Sequence, residues 1–355
     1  MTDTRRALLA ALAAGPVGGP ELAEELGISR AAVWKQVEAL REAGFGIEST
    51  DDGYRVTEVP EFGGDAVAFG LEAPFDIEFH DAIPSTNDRA RELAAGEARK
   101  GDGASDVAVV TDEQTAGRGR LDRGWSGPSG GIYCSIITHP DRPVAHAPIY
   151  TLAAAVAVTR TAREAGVDAS IKWPNDVLVS GSGPSVPLAA GEAGDPTNEG
   201  QSDGLSEDVR APDQSADTER DGRKLCGILT EMEGEADRVD WLIVGIGINA
   251  NVDAADLPEG ATSLHTELGE PVDRRLFTQR LLETFDDLRE EPEAILDAWR
   301  EHALTLGQRV RVETPGGDVV GEAIDVEFPG ALIVETDDGE RVRVTAGDCE
   351  HLRPV

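Results

Sequence analysis

Three arginines lie close together in a short segment that also contains glycine, Asp112-Glu-Gln-Thr-Ala-Gly-Arg-Gly-Arg-Leu-Asp-Arg-Gly-Trp125. They are Arg118, Arg120 and Arg123. The guanidinium group offers a planar fork of donors that matches phosphate and carboxylate oxygens. Gly117 and Gly119 allow the backbone to approach a ligand and supply free N–H groups. The segment predicts a loop that binds an anion. The alternative, a solvated basic turn, would be unusual in a chain of net charge −36.

Two of the four lysines in the chain fall in polar segments that suit phosphate chemistry. The first, Ile171-Lys-Trp-Pro-Asn-Asp-Val-Leu-Val179, brings Lys172 near Asp176, and a carboxylate beside a lysine suits Mg²⁺ and phosphate handling. The second, Arg223-Lys-Leu-Cys-Gly-Ile-Leu-Thr-Glu231, opens an apolar strand with Lys224. The structural alternatives are a polar turn with one salt bridge and a lysine snorkelling at a strand edge. Because lysine is so rare in this chain, the presence of one lysine in each segment favours a functional role over a structural one.

Two further segments give weaker signals. Val244-Gly-Ile-Gly-Ile-Asn-Ala-Asn251 has glycines within a strand, which often mark close approach of the backbone to a ligand. Pro84-Ser-Thr-Asn87 places small hydrogen-bonding side chains at the start of a helix, and by itself it indicates a simple N-cap. Neither segment alone predicts a binding site.

The elements that position these residues alternate between strand and helix patterns from about residue 66 to 304, which predicts a central α+β or α/β domain. The predicted strands are residues 106–111, 131–138, 171–179, 225–231 and 241–250. The predicted helices are residues 86–95, 150–165 and two segments between 274 and 303. The stretch 180–222 is rich in Gly, Ser and Pro and holds ten acids against two bases, which predicts a disordered acidic insertion between two strands.

Residues 1–60 predict a winged helix-turn-helix. A helix over 5–14 precedes one over 20–27 that starts at proline and stops at glycine, and a third is capped by Ser29. A hairpin around Asp-Asp-Gly forms the wing. The candidate DNA contacts are Ser29, Arg30 and Lys35. With six bases against ten acids the domain lacks a basic footprint, so a helical bundle that mediates protein contacts is the alternative.

The last unit, residues 307–355, shows alternating segments separated by Gly-Gly, Pro-Gly and Asp-Gly turns. This spacing predicts a small five-stranded barrel that resembles an SH3 fold. It follows the central unit directly, whereas a linker, Pro60-Glu-Phe-Gly-Gly-Asp65, separates that unit from the first.

Composition narrows the functional class. Sixty-eight acids against 32 bases, with arginine far outnumbering lysine, indicate adaptation to a salt-rich, halophilic cytoplasm. No apolar run could span a membrane, and the N-terminus resembles an amphipathic helix more than a signal peptide. Three distant cysteines exclude a disulfide framework and show no metal-ligand spacing. The arginine segment is neither a Walker A loop nor a dinucleotide fingerprint. We therefore expect a cytoplasmic protein without structural zinc.

Five motifs, in this order along the chain, resemble those of the biotin protein ligase family. They are Ser85-Thr-Asn87, Gln114 to Trp125, Lys172-Trp-Pro-Asn-Asp176, Lys224-Leu-Cys-Gly227 and Gly245-Ile-Gly-Ile-Asn249. With its winged helix, the chain is similar to the bifunctional members, which also repress biotin-synthesis genes. The resemblance implies an α+β protein with an N-terminal winged helix-turn-helix, a central mixed-sheet domain like that of biotin and lipoate ligases, and a C-terminal SH3-like barrel. The 180–222 insertion departs from the family, which usually has a short turn there.

The activity implied by the resemblance is that of a biotin–[biotin carboxyl-carrier protein] ligase. Such an enzyme joins biotin to ATP, forms biotinoyl-5'-AMP and passes biotin to a lysine of a biotin carboxyl carrier protein. Mg²⁺ is the implied cofactor. Operator DNA is an implied partner, and a homodimer is expected when the adenylate is bound.

Roles for individual residues follow from the resemblance and from their chemistry. Arg118, Arg120 and Lys224, with Arg123 assisting, are expected to offset the repulsion between two anionic substrates. The resemblance places the biotin ureido ring at Ser85, Thr86, Gln114 and Gly117, the biotin tail along Gly227 and Leu229, and adenine near Trp125 and Asn249. Asn87 and Gly119 complete the predicted substrate-binding set. Lys172 is expected to contact phosphate, and Asp176 to hold Mg²⁺ or orient the acceptor amine. We expect the loop from Thr115 to Trp125 to order over the adenylate.

Two other functions stay open from the sequence. One is a lipoate or octanoate ligase or transferase of the same catalytic fold; a transferase would use a nucleophile in place of ATP. The other is a biotin-sensing DNA-binding regulator without ligase activity. The Gly-Arg-Gly-Arg segment and the winged helix favour biotin over lipoate, and the presence of Lys172, Asp176 and Lys224 argues against a regulator that has lost catalysis.

Overall fold

The structure, a computed structural model, describes residues 3–98, 106–120, 124–180, 222–235 and 237–352. In chain order these residues form a small helical unit with a hairpin, a mixed sheet flanked by helices, and a small antiparallel sheet. The predicted α+β fold class is confirmed. Arg123 and, apart from its two end residues, the insertion predicted at 180–222 lie outside the described residues.

The N-terminal unit has the three helices and the hairpin that the sequence predicts. They are α1 (Asp3–Ala14), α2 (Gly19–Glu25), α3 (Arg30–Glu42), β1 (Gly46–Thr50) and β2 (Gly53–Glu58). Ser29 caps α3, because its Oγ accepts a hydrogen bond from the Ala32 N–H at 3.2 Å. Val33, Val37 and Leu40 form the buried stripe of α3 and face the core of this unit.

The central unit is built on one mixed sheet. Its strands are β3 (Asp76–Ile83), β4 (Val107–Arg118), β5 (Gly124–Gly127), β6 (Ile132–Thr138), β7 (Ala169–Lys172), β8 (Asp176–Val179), β9 (Arg223–Glu235) and β10 (Arg238–Ile248). The order is β3-β4-β6-β10-β9-β8-β7, with β5 paired to β4. The β3–β4 pair is parallel and the other pairs are antiparallel.

Helices cover both faces of the central sheet. They are α4 (Gly64–Ala68), α5 (Thr86–Ala98), α6 (Pro148–Glu164), α7 (Leu264–Leu268), α8 (Arg274–Glu290) and α9 (Pro292–His302). The alanine-rich α6 is buried along most of its length in the main core, and α5 packs in a second cluster with Ile137, Trp241 and Ile243. Every residue of β6 is therefore buried, as expected for a strand covered on both faces.

Three local features differ from the predicted elements. β4 does not end at Thr111 but continues to Arg118, because Gly117 and Arg118 pair with β5. The segment 171–179 is a hairpin of β7 and β8, with a cis Trp173–Pro174 bond in its turn. β3 was not predicted from the sequence, and its parallel partner β4 is separated from it by a helix.

The C-terminal unit is a five-stranded antiparallel sheet of the expected SH3-like class. Its strands are β11 (Arg309–Thr314), β12 (Gly317–Glu327), β13 (Ala331–Thr336), β14 (Arg341–Val344) and β15 (Asp348–His351), in the order β14-β13-β12-β11-β15. It contacts the central unit directly, since Trp173 Nε1 donates to the Gly330 carbonyl at 2.9 Å. Across the described ranges, no helix is both long enough and apolar enough to cross a membrane.

Candidate active site

One cavity gathers most of the residues that the sequence singles out. It opens between the start of α5, the end of β4, β5, β9 and β10. The predicted residues that line it are Ser85, Thr86, Asn87, Gln114, Arg118, Gly119, Arg120, Trp125, Asp176, Lys224, Gly227 and Leu229. Motifs that are far apart in sequence therefore meet in one place.

Other lining residues were not predicted. They are Gly124, Asn175, Ile228, Gly245, Ile246, Gly247 and Asp348. Most of them lie within or beside a predicted motif, so they could have been predicted from those motifs. Asp348 is different, because it comes from the start of β15 in the C-terminal unit, and nothing local in the sequence marks it.

Gln114 is fixed in the cavity by the first turn of α5. Its Oε1 accepts hydrogen bonds from the Thr86 N–H at 2.8 Å and from Thr86 Oγ1 at 3.0 Å. Ser135 on β6 lies 2.7 Å from the same hydroxyl. The amide oxygen of Gln114 is therefore used within the protein, and its Nε2 donors are left to face a ligand.

Asn87 ties α5 to β9. Its Nδ2 donates to Glu231 Oε2 at 2.8 Å and to the Leu229 carbonyl at 3.4 Å, and its Oδ1 accepts from Ser135 at 2.6 Å. A Cβ at Gly245 would overlap Asn87 Oδ1. This glycine of β10 therefore accommodates a protein side chain, whereas the glycine pattern of this strand predicts the close approach of a ligand.

Arg118 is held at the rim of the cavity by two carboxylates. Its Nη2 lies 2.7 Å from Asp88 Oδ1 and 3.4 Å from Glu231 Oε2. Arg91 binds the same two acids. Two arginines therefore share two acids, and an anion in the cavity would meet a guanidinium group whose position is already restricted.

Arg120 is held by the hairpin turn and by the C-terminal unit. Its Nη1 donates to Asn175 Oδ1 at 2.9 Å and its Nη2 to the Gly347 carbonyl at 2.6 Å. Asn175 in turn donates from Nδ2 to the Ile228 carbonyl at 2.7 Å, and it is buried. The C-terminal unit thus takes part in positioning a cation of the cavity.

Lys224 and Asp176 form an ion pair inside the cavity, with 2.7 Å between Nζ and Oδ1. The same ammonium group lies 5.5 Å from the ring centroid of Trp125, within cation–π range. Both partners keep about a third of their side chains exposed, at 36% and 28%, so an incoming substrate can reach them.

The indole ring of Trp125 lies against the backbone of two neighbouring strands. A Cβ at Gly227 or at Gly247 would come within 2.8 Å of this ring. Trp125 Nε1 is buried and has no hydrogen-bond partner among the described residues. The ring therefore covers Gly227, the residue along which the biotin tail is predicted to lie.

Three predicted residues are not brought to the cavity surface. Gly117 pairs with Trp125 in the β4–β5 ladder, and Lys172 pairs with Asp176 in the β7–β8 ladder. Asn249, predicted to face adenine, is only 3% exposed, and its Nδ2 donates to the Thr262 carbonyl at 3.0 Å. Because its amide is engaged there, Asn249 supports the segment beneath Lys224.

The cysteines do not provide a reactive thiol. Cys134, Cys226 and Cys349 are all buried. Burial raises the pKa of the Cys134 thiol to about 12 and raises that of Cys226, two residues after Lys224, well above its ordinary range. Within the described ranges, no group of three or more His, Cys, Asp or Glu side chains could hold a metal ion.

Asp112, on β4, joins this strand to the segment before β6 and to α8. It accepts hydrogen bonds from Ser129, from the Gly130 N–H at 3.1 Å and from Arg274. Partial burial alone would raise the pKa of this carboxyl, but these bonds outweigh burial and hold the pKa below its ordinary value. Arg274 also binds Glu61 at 2.7 Å, so the segment that follows the N-terminal unit is joined to the same anchor.

The residues predicted to contact DNA lie together at the start of α3. Ser29, Arg30 and Lys35 are exposed. Trp34, between them, is 57% exposed, which is unusual for so large an apolar side chain. By contrast, Arg5 and Arg41 of the same unit are engaged in ion pairs with Asp65 and Glu38.

Comparison with known proteins places these features in a family. Residues 80–249 match the Biotin/lipoate A/B protein ligase family, residues 305–352 the Biotin protein ligase C terminal domain, and residues 4–55 an HTH domain. The chain is 34% identical over 352 residues to the bifunctional ligase/repressor BirA of Bacillus subtilis, covering 94% of this chain and 93% of that protein. It is 30% identical over 285 residues to the biotin–[acetyl-CoA-carboxylase] ligase of Mycobacterium tuberculosis, covering 77% and 89%.

A solved structure has the same fold. The biotin protein ligase from Aquifex aeolicus in complex with biotin and ATP superposes with a TM-score of 0.55 at 23% identity, covering 78% of this chain and 99% of that chain. The resemblance seen in the five motifs is confirmed, and the chain belongs to the biotin protein ligase family, with the domain composition of its bifunctional ligase/repressors.

Proposed function

We propose that this protein activates biotin with ATP to form biotinoyl-5'-AMP and then transfers biotin to a lysine of an acceptor protein. The observation that carries the proposal is the convergence of Arg118, Arg120 and Lys224 on one cavity that also holds Ser85 and Gln114. The protein is thus equipped to bind a polar ring at one end of a ligand and anionic groups at the other.

In the first step, a carboxylate oxygen of biotin attacks the α-phosphorus of ATP, the new C–O–P linkage forms, and pyrophosphate leaves. Both reactants are anions, so their repulsion must be offset before they can meet. Lys224 is the central cation, since it lies between Asp176 and Trp125 inside the cavity. Arg118 and Arg120 act from the rim, and their partners hold them in place before substrate arrives.

The ureido end of biotin is assigned to the corner of the cavity formed by α5 and β4. Thr86 occupies the amide oxygen of Gln114, so the Gln114 Nε2 group remains there as a donor. The Ser85 hydroxyl lines the same cavity and is a second donor. Donors suit the ureido oxygen, which is an acceptor. Thr86 and Asn87 act as positioning residues in this scheme.

The tail of biotin and the adenine ring meet Trp125. For the tail to lie along Gly227 and Leu229, the indole ring must shift away from the glycine backbone that it covers. Among the described residues the buried ring N–H has no hydrogen-bond partner, so packing and the cation–π contact with Lys224 hold the ring there. We propose that Trp125 exchanges this position for stacking on adenine. The predicted ordering of the segment from Thr115 to Trp125 involves residues 121–123, which lie outside the described residues.

Mg²⁺ is the cofactor implied by the family. The residues present do not fit a site in which the protein alone holds this ion, because Asp176 is already paired with Lys224 and no acidic cluster stands beside it within the described ranges. The assignment of Asp176 as a Mg²⁺ ligand and of Lys172 as a phosphate contact stays a prediction.

In the second step, the neutral amine of an acceptor lysine attacks the mixed anhydride. The C–N bond forms, AMP leaves, and the amine gives up a proton. Asp176 is the carboxylate nearest to Lys224, and we assign it the task of orienting the amine and accepting this proton. The charge of Lys224 then stabilises the leaving phosphate.

A transferase with a cysteine nucleophile is the alternative that the cavity argues against. Such an enzyme needs an accessible thiol of lowered pKa. Cys226 lies in the right segment, but burial raises its pKa and removes it from the cavity. A regulator without catalysis is disfavoured by the Lys224–Asp176 pair, which is poised inside the cavity.

The remaining assignments concern partners and organisation. We propose a biotin carboxyl carrier protein as the acceptor and operator DNA as the partner of Ser29, Arg30 and Lys35, with dimerisation when the adenylate is bound. We further propose domain limits of 1–60, 66–304 and 307–355, and a place of action in the cytoplasm. The names of the relatives, which combine ligase and repressor, support the pairing of these two roles.

One experiment tests the proposal. The purified protein is incubated in high salt with ATP and labelled biotin, and pyrophosphate release and adenylate formation are measured. We expect both, and we expect no adenylate with lipoate or octanoate. A protein that forms no biotinoyl-5'-AMP under these conditions would refute the ligase assignment, and formation of lipoyl-AMP instead would support the alternative.

A further inference from the structure

We propose that Glu231, on β9, is a positioning residue of the reaction, which orients Asn87 near the biotin ring and anchors Arg118 at the rim of the cavity. Glu231 is not itself a lining residue of the cavity, so it acts through the side chains that it holds. Its place follows from the strand, because Gly227, Leu229 and Glu231 alternate along β9 and alternate residues of a strand share one face. The proposal rests on the proposed ligase function and adds a residue that joins the two ends of the substrate site.

Three donors meet at the Glu231 carboxylate. Its Oε2 accepts a hydrogen bond from Asn87 Nδ2 at 2.8 Å and lies 3.4 Å from Arg118 Nη2. Its Oε1 accepts a hydrogen bond from Arg91 Nη2. The Glu231 side chain is only 22% exposed, so solvent offers little replacement for a lost partner. One carboxylate therefore satisfies an amide and two guanidinium groups, and its removal would leave these donors facing one another.

A chain of hydrogen-bonding groups runs from Glu231 to the corner assigned to the ureido ring. An ionised carboxylate can only accept, so Glu231 fixes the Asn87 amide with Nδ2 toward itself and Oδ1 toward Ser135. Ser135 Oγ donates to Asn87 Oδ1 at 2.6 Å and also lies 2.7 Å from Thr86 Oγ1. Thr86 Oγ1 in turn donates to Gln114 Oε1 at 3.0 Å. The donor that Gln114 presents to the ligand is therefore coupled to the charge of Glu231.

The opposite end of this network restrains a cation through shared acids. Arg91 and Arg118 both bind Glu231 and Asp88, so two positive and two negative side chains balance in one cluster. Without the Glu231 charge, both guanidinium groups would compete for Asp88, whose side chain is 47% exposed. A group that is already restrained loses less side-chain entropy when it binds a ligand. Arg118 should therefore hold the adenylate phosphate less well when Glu231 is uncharged.

Two substitutions at one position separate these two roles. Glu231→Gln keeps an oxygen that can accept from Asn87 but removes the charge shared with the arginines, whereas Glu231→Met removes both the acceptor and the charge. Glu233→Gln is the matched control, since Glu233 is exposed two residues further along the same strand. The Kd for biotin is measured without ATP, and the dissociation rate of biotinoyl-5'-AMP is measured separately.

We expect Glu231→Gln to release the adenylate about fivefold faster or more, with the biotin Kd within about twofold of that of the unchanged protein. Glu231→Met should release the adenylate at least as fast, and it should also raise the biotin Kd about tenfold, because Asn87 then lacks its acceptor. The Glu233→Gln control should change neither quantity. An unchanged biotin Kd in Glu231→Met would overturn the proposal, as would unchanged or slower adenylate release in Glu231→Gln.

A double-mutant cycle with Arg118→Ala distinguishes positioning from a general loss of stability. If Glu231 acts on the adenylate through Arg118, Glu231→Gln should cause no further increase in release once Arg118 is replaced. Two increases that multiply in the double variant would contradict the proposal. The cycle needs only the nearly isosteric glutamine variant, so it decides the outcome even where the methionine variant fails to fold. Absence of biotinoyl-5'-AMP in the unchanged protein would instead refute the ligase function.

Discussion

Replacing Lys224 by methionine tests the central electrostatic argument, because methionine keeps much of the apolar stem beside Trp125 and removes only the charge. In the protein, Nζ lies 2.7 Å from Asp176 Oδ1, so the substitution also leaves that carboxylate unpaired where two anionic substrates must meet. A positioned donor or cation at developing charge contributes about 3 kcal/mol to the transition state. This corresponds to a rate loss of roughly a hundredfold or more.

ATP–pyrophosphate exchange with biotin measures this loss directly. Lys35→Met is the matched control, since Lys35 is exposed on α3 and outside the cavity. Adding Asp176→Asn to Lys224→Met should recover part of the lost rate, because the unpaired negative charge is then removed. Exchange within threefold of the unchanged protein in Lys224→Met would refute the reasoning, as would a double variant slower than the single one.

Three further outcomes follow from the geometry. Gly245→Ala should weaken biotin binding and cost about 1–3 kcal/mol of unfolding free energy, because its Cβ overlaps Asn87 Oδ1; Gly96→Ala, with open space around it, is the control in calorimetry. Asp112→Asn should lower the unfolding free energy by about 1–3 kcal/mol near pH 7. Since the folded pKa of Asp112 lies below its unfolded value, this difference should shrink as pH falls below about 4, and a difference independent of pH would contradict the account. Lys35→Ala should reduce the salt dependence of operator binding by about one unit of slope, and an unchanged slope would exclude a phosphate contact.

The reactive residues of the cavity could be predicted where a single short segment contains them. Local patterns predict both Lys224 and Asp176 as site residues, and the rarity of lysine in the chain strengthens the prediction for Lys224. Their pairing across β8 and β9 was not predicted, because it depends on the register of two strands. The same limit applies to two acidic residues. Glu231 lies beside Arg118 because of the order of the strands in the sheet, and Asp348 lies in the cavity wall because the C-terminal unit contacts the central one.

The glycines of β10 show that a sequence pattern can predict where a site lies without predicting what occupies it. The sequence indicated that something approaches Gly245 and Gly247 closely, and the cavity does lie there. What approaches them in the structure is Asn87 and Trp125, side chains from distant parts of the chain. Local spacing signals the need for room, but it cannot say whether a ligand or the protein itself fills that room.

Val179 and Arg223 are paired in the ladder between β8 and β9. The chain therefore leaves the central sheet and re-enters it at adjacent positions. Closing a loop costs only about 0.6 kcal/mol more for each doubling of its length. Sequence between these two residues can therefore be lengthened, shortened or exchanged while the register of both strands stays the same. We expect a fluorescent reporter or an affinity tag inserted there to leave the pairing of β8 with β9, and with it the Lys224–Asp176 ion pair, in place.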